Sequence, residues 1–158
     1  MQVDDYDGDG NLDILMNGND YGTEVSVGRY DALNGLLLKG NGKGLFTALS
    51  ILESGIFIPG NGKALVKIRG AKGQYLMAAS QNRGPLKIYT LKKPTLLLPV
   101  EPNDASAIIE YANGQKRKEE FYYGNSFLSQ SARFISYNEK VKMITIIDQK
   151  GQTRKNNY

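Results

Sequence analysis

Asp5-Tyr6-Asp7-Gly8-Asp9-Gly10-Asn11-Leu12-Asp13, running directly into Ile14-Leu15-Met16-Asn17, is the stretch on which the reading of this chain turns. With Asp5 as loop position 1, carboxylates stand at positions 1, 3, 5 and 9, glycine stands at 6, and position 7 is Asn11, which offers a backbone carbonyl. Calcium takes six to eight hard oxygen ligands, and a curled loop aims those of alternate residues at one point while the glycine makes the sharp turn. The spacing therefore predicts a calcium site built from Asp5, Asp7, Asp9, Asn11 and Asp13, whose carboxylates would repel one another without a cation. A plain surface turn is the alternative, since Asp and Gly favour turns anyway. Position 12 falls on Met16, where an EF-hand requires a bidentate Glu, and residues 12–17 read as a strand, so the loop opens a hairpin and Asp13 closes it. Asp4 and Asp20 lie outside the ligand set and read as bystanders.

The same strand-like periodicity continues outward. Short apolar stretches recur between glycine-rich turns, and no long stripe of period 3.6 interrupts them. Strands are predicted over 12–17, 35–39, 45–49, 64–69, 75–80, 86–91, 105–111, 116–123, 133–137 and 143–148, making the chain all-β. Asn113-Gly114 between two alternating segments is a strong hairpin signal, and Gly40-Asn41-Gly42-Lys43-Gly44 predicts another. Pro94, Pro99 and Pro102 cannot donate to a central ladder, so the boundary between two units, 1–93 and 94–158, is placed at that segment, within which Leu96 to Leu98 can still pack. Laying residues 65–82 on residues 3–20 reveals a weak repeat, with Gln74 to Ala78 facing Leu12 to Met16. In that alignment the five ligand positions become Lys67, Arg69, Ala71, Gly73 and Tyr75, so the second unit should bind no calcium. Lys67 or Arg69 is expected to bring positive charge near the place of the first unit's metal.

Composition excludes more than it selects. Cysteine and histidine are both absent, which removes thiol nucleophiles, Ser-His-Asp catalysis and His or Cys zinc sites. No apolar run approaches the roughly 20 residues of a membrane-spanning helix, so no membrane span is expected. The net charge of +4 conceals six aspartates in residues 1–20, which leaves +10 on the remainder, spread thinly along strands. Gly60-Asn61-Gly62-Lys63 and Gly42-Lys43 lack the earlier glycine and the Ser/Thr of a phosphate loop and read as hairpin turns. Lys116-Arg117-Lys118 is cancelled by Glu119-Glu120 and reads as a charged sheet edge rather than a nucleic-acid platform. Glu110, Glu119, Glu120 and Glu139 read as solvent-side residues, not as a glycosidase pair, and no catalytic residue is assigned.

These motifs carry a family resemblance. Asp5 to Asp13 followed by Ile14-Leu15-Met16 resembles the calcium loop of the FG-GAP/VCBS repeats that build integrin-like β-propellers. Gly40 to Phe46 resembles the hairpin late in such a blade, and Pro59 to Leu65 the start of the next. Ala107 to Gln115 and Tyr123-Gly124-Asn125-Ser126-Phe127-Leu128-Ser129-Gln130-Ser131 resemble the ASPIC/UnbV segment that follows such propellers, although Phe134-Ile135-Ser136-Tyr137 replaces its usual glycine-rich stretch. Ser126, Ser129, Gln130 and Ser131 read as satisfying their own turn. The resemblance implies antiparallel β-propeller-like blades in an incomplete propeller, followed by a small antiparallel β-domain, because a blade takes about 40–50 residues and closure takes four or more. It also implies a calcium-binding, non-catalytic binding or scaffold module of an exported or cell-surface protein. The expected partners are the remaining blades of a longer parent, a protein or glycan ligand, and further copies joined through open strand edges. A calcium-dependent carbohydrate-active enzyme fragment is the rival reading.

Overall fold

The computed structural model describes residues 1–124 and 130–158, so the readings of Ser126 and Ser129, and the part of the resemblance that spans residues 125–129, lie outside the described residues. Within them the chain is all-β, in antiparallel sheets of which none closes into a barrel. The first sheet is a meander of β1 (Gln2–Asp4), β2 (Asp13–Asp20), β3 (Tyr30–Gly40) and β4 (Phe46–Leu49), paired in chain order. A single helical turn, α1 (Ile51–Ser54), follows. Ser50 and Glu53 cap it reciprocally, and Gly55 ends it in the left-handed conformation at φ 73°. Residues 55–61 then cross to a second meander of β5 (Gly62–Arg69), β6 (Tyr75–Gln81) and β7 (Lys87–Thr90).

The remaining strands are β8 (Leu96–Pro99), β9 (Asp104–Tyr111), β10 (Lys116–Glu120), β11 (Phe134–Tyr137), β12 (Val141–Asp148) and β13 (Thr153–Asn157). They form a four-stranded sheet in the order β10-β9-β12-β13 and a two-stranded ribbon of β11 and β8. Alternation builds the core here. Ala107, Ile109 and Tyr111 of β9 and Ile144 and Ile146 of β12 point to one side, with Ile135 and Val141 against them. A second cluster gathers Leu15, Ile56, Ile58, Leu65, Tyr75, Met77, Ala79 and Phe134. Consecutive residues of β11 thus enter different clusters, Phe134 with the two meanders and Ile135 with the C-terminal sheet.

Both predicted hairpins form, at Asn41 (N–H to the Leu45 carbonyl, 3.2 Å) and at Asn113-Gly114 (Tyr111 N–H to the Gln115 carbonyl, 2.9 Å). The offset of 62 residues carries Asp13, the first residue of β2, onto Tyr75, the first of β6. Gly60 to Lys63 is not a hairpin turn: it lies where the crossing segment enters β5, with Gly60 at φ 89°. A strand, β8, occupies the proline-rich segment. Among the described residues it pairs with one strand, β11, and Pro99 stands at its end, where a missing donor costs little. Polar β1 and β13 also escaped the apolar pattern.

One ion pair clamps the C-terminal sheet. Asp104 is buried, accepts the Glu101 amide at 2.7 Å and takes both terminal nitrogens of Arg154 on β13. Burial pushes the Asp104 pKa up, but the Arg154 and Glu101 bonds outweigh it and hold it below the usual carboxylate value. A depressed pKa contributes stability that is fully present above the unfolded value, about 3.9, and is lost as pH falls through the lower folded value. Asp104→Asn is expected to cost about 1–3 kcal/mol at pH 7. Urea melts at pH 7 and near pH 3 check this: the gap between parent and variant should narrow in acid, and an unchanged gap would refute the assignment.

Candidate metal centre

The aspartate loop joins β1 to β2 and is shaped by its own side chains. Asp5 accepts the amides of Asp9 (3.0 Å) and Gly10 (2.9 Å), Asp7 Oδ1 accepts that of Asp9 (3.0 Å), and Asp9 Oδ1 accepts that of Asn11 (2.8 Å). Gly10, the predicted turn glycine, takes φ 97°. Asp13, 1% exposed, fastens both ends: Oδ2 accepts the Tyr6 amide at 3.0 Å, and Oδ1 accepts the Gly40 amide at the end of β3 at 2.9 Å. The result brings one carboxylate oxygen each from Asp5, Asp7 and Asp13 within 4.8 Å of one another. Burial raises the pKa of Asp5 against the pull of Arg117, and raises that of Asp13 against its two amide donors.

Asp9 is not among those three carboxylates. The Asp9 carboxylate faces Lys39, whose ammonium lies 3.1 Å from Oδ2 and also bonds Asp7 Oδ2. These bonds, to Asp7 first and Asp9 second, raise the Lys39 pKa well above the ordinary lysine value. The Asn11 side chain accepts from Gln115 Nε2 at 3.1 Å. The donor set fits a hard divalent cation: carboxylates converge, and a positive group already occupies their flank.

Cations from distant parts of the chain surround the loop. Arg117 on β10 reaches Asp5 at 3.3 Å, Lys93 donates to the Asp7 carbonyl, and Asn138 and Lys140 each donate to the Gly8 carbonyl at 3.1 Å. The loop therefore sits at the contact between the N-terminal meanders and the C-terminal strands. Nothing local in the sequence announced these partners, because they are 30 or more residues away and isolated among other lysines.

Beside the loop lies a buried charge network that corrects two readings. Asp4 is no bystander: it is 3% exposed and binds Lys67 (3.3 Å), Tyr75 (3.0 Å) and Ser136 (2.8 Å). Glu119 is not solvent-side, since β10 turns it inward to the same Lys67 ammonium at 3.3 Å. Strand alternation is the reason: Arg117 and Glu119 share the face opposite exposed Lys116, Lys118 and Glu120. Burial raises the Asp4 pKa but Lys67 and Arg117 outweigh it, giving a net lowering; for Glu119 burial wins and the pKa rises. Burial lowers the Lys67 pKa, but Asp4 and Glu119 outweigh it and raise it. Lys67 thus brings its charge to Asp4, next to the loop rather than into it, while Arg69 is exposed on the far end of β5. Ser131 reaches beyond its own turn: its hydroxyl donates to Gln2 (3.1 Å) and accepts the Lys67 amide (3.0 Å).

A cavity of about 590 Å³ opens over Asp4, Lys67 and Glu119, walled by Val3, Leu12 and Phe134. Compared with known proteins, no family model matches the chain, and neither a curated protein nor a solved structure matches it.

Proposed function

We propose that this chain is a non-catalytic calcium-binding β-module, built of propeller-like blades and a small β-domain, that serves as a binding or scaffold part of an exported or cell-surface protein. The convergence of Asp5, Asp7 and Asp13 within 4.8 Å carries the reading. The ion's role is structural: held by Asp5, Asp7 and Asp13, it neutralises clustered carboxylates in a loop that touches both parts of the chain. The propeller-like arrangement and the export rest on the family resemblance, and the two consecutive meanders with their 62-residue offset are compatible with it. A protein or a glycan is the ligand class this reading implies.

The rival enzyme reading would need two carboxylates free to face a sugar. Asp4 and Glu119 border the cavity, but Lys67 bridges them, bonding one oxygen of each. That favours the structural role.

Titration calorimetry with calcium tests the proposal. One ion per chain is expected, with a dissociation constant on the order of 10⁻⁴ to 10⁻³ M as in extracellular modules, and Asp7→Asn should weaken it at least about tenfold. Absence of any calcium heat, together with an unfolding temperature indifferent to chelator, would overturn it.

A further inference from the structure

We propose that Lys39 is a built-in counter-ion of the aspartate loop, and that calcium enters by displacing its ammonium from Asp7. The inference rests on the calcium reading above and adds a regulator to it.

The geometry is specific. Asp7 Oδ1 is engaged by the Asp9 amide at 3.0 Å, while Oδ2, which meets no backbone donor among the described residues, is bonded to the Lys39 ammonium. The same ammonium lies 3.1 Å from Asp9 Oδ2. A single primary ammonium therefore spans two of the four loop carboxylates, and Asp9 is drawn toward it rather than toward Asp5, Asp7 and Asp13. Lys39 arrives from outside the loop, on β3, one residue before Gly40, whose amide holds Asp13. The strand end that fixes the deepest ligand thus also delivers the competing charge.

Ammonium and calcium cannot share this place. Two cations a few ångströms apart repel, and Asp7 Oδ2 cannot serve both at full strength. The lysine side chain is 41% exposed, so it can swing into water at low cost while the loop itself stays anchored through Asp13. Once it leaves, Asp9 is released to turn inward as a fourth carboxylate. Two consequences follow from that exchange. Without calcium the loop is held shut by Lys39 and keeps its shape. With calcium, part of the binding free energy is spent on removing the lysine, which sets the affinity lower than four carboxylates alone would give.

Lys39→Met keeps the stem and removes the charge; Lys39→Arg keeps a charge. Calorimetry with calcium chloride should find roughly tenfold or tighter binding for Lys39→Met than for the parent, and parent-like or weaker binding for Lys39→Arg. Thermal unfolding supplies an independent readout. In chelator Lys39→Met should melt below the parent, and saturating calcium should raise its melting temperature more than it raises the parent's. Binding by Lys39→Met alone, with none by the parent, would overturn the exchange, since calcium would then fail to displace the lysine. Equal or weaker binding by Lys39→Met than by a calcium-binding parent would overturn it and leave the calcium reading standing. Failure of all three proteins to bind calcium would overturn the calcium reading itself, and the exchange with it.

Discussion

Lys67→Met is expected to destabilise the chain by roughly 3–5 kcal/mol, because it removes the ammonium that two buried acids share. The Lys67 ammonium is within 3.3 Å of Asp4, Glu119 and the Phe134 carbonyl, and sits 5.0 Å from the centre of the Phe134 ring. Asp4 cannot escape to water, since Tyr75 and Ser136 hold it inside. Arg117 remains 3.7 Å from Glu119 but is shared with Asp5, so losing the ammonium still forces an acid to take up a proton or the surroundings to open. Neutralising the acids should undo the damage: the triple variant Lys67→Met, Asp4→Asn, Glu119→Gln is expected to regain more than half of the lost stability, since a breached ion pair costs far more than one replaced as a whole. Urea unfolding at pH 7 measures both. A single-variant loss below about 1 kcal/mol, or a triple variant no better than the single, would contradict the account.

Gly40→Ala is the second large effect, and its cause is steric. A Cβ at Gly40 would stand 2.1 Å from the Leu12 carbonyl oxygen, 3.2 Å from the Leu12 carbonyl carbon and 3.2 Å from the Phe46 ring. The first of these atoms is backbone and cannot swing away, so the end of β3 must separate from the loop. Separation also withdraws the Gly40 amide from Asp13 Oδ1. A loss of about 3 kcal/mol is expected, accompanied by weaker calcium binding. Gly44→Ala is the matched comparison. Gly44 has φ 82° but open space around it, so only the left-handed backbone penalty of about 1–2 kcal/mol applies and the calcium affinity should hold. If the two variants proved equally stable with equal calcium affinities, the close approach of Gly40 to Leu12 would carry no weight.

What the sequence disclosed follows from what is local. Alternating apolar residues marked β2, β5, β6, β9 and β12 within a few residues, and glycine-asparagine turns marked two hairpins. Strands that escaped are those whose stability comes from elsewhere. β1 is three residues long and is secured by buried Gln2 and Asp4, and Thr153–Asn157 is a polar edge tied to β12 by backbone bonds. The same division holds at the loop. Asp5, Asp7 and Asp13 could be grouped by spacing, whereas Lys39, Lys93, Arg117, Asn138 and Lys140 meet it only through tertiary structure. Asp4 and Glu119 were misjudged because a charged residue in a strand reads as exposed until its partner across the fold is known.

The two-sided placement of β11 constrains how the chain can err. Phe134 pairs with Pro99 and Ile135 with Leu98, and the two side chains leave the ribbon in opposite directions. A slip of one residue would reverse both at once, presenting a branched aliphatic to the hollow beside Tyr75 and an aromatic ring to the space among Ile109, Ile144 and Ile146. Neither vacancy has the right volume for the newcomer. A misthreaded β11 is therefore penalised on both sides simultaneously, which leaves no half-correct assembly in which one part of the molecule is sound and the other is not.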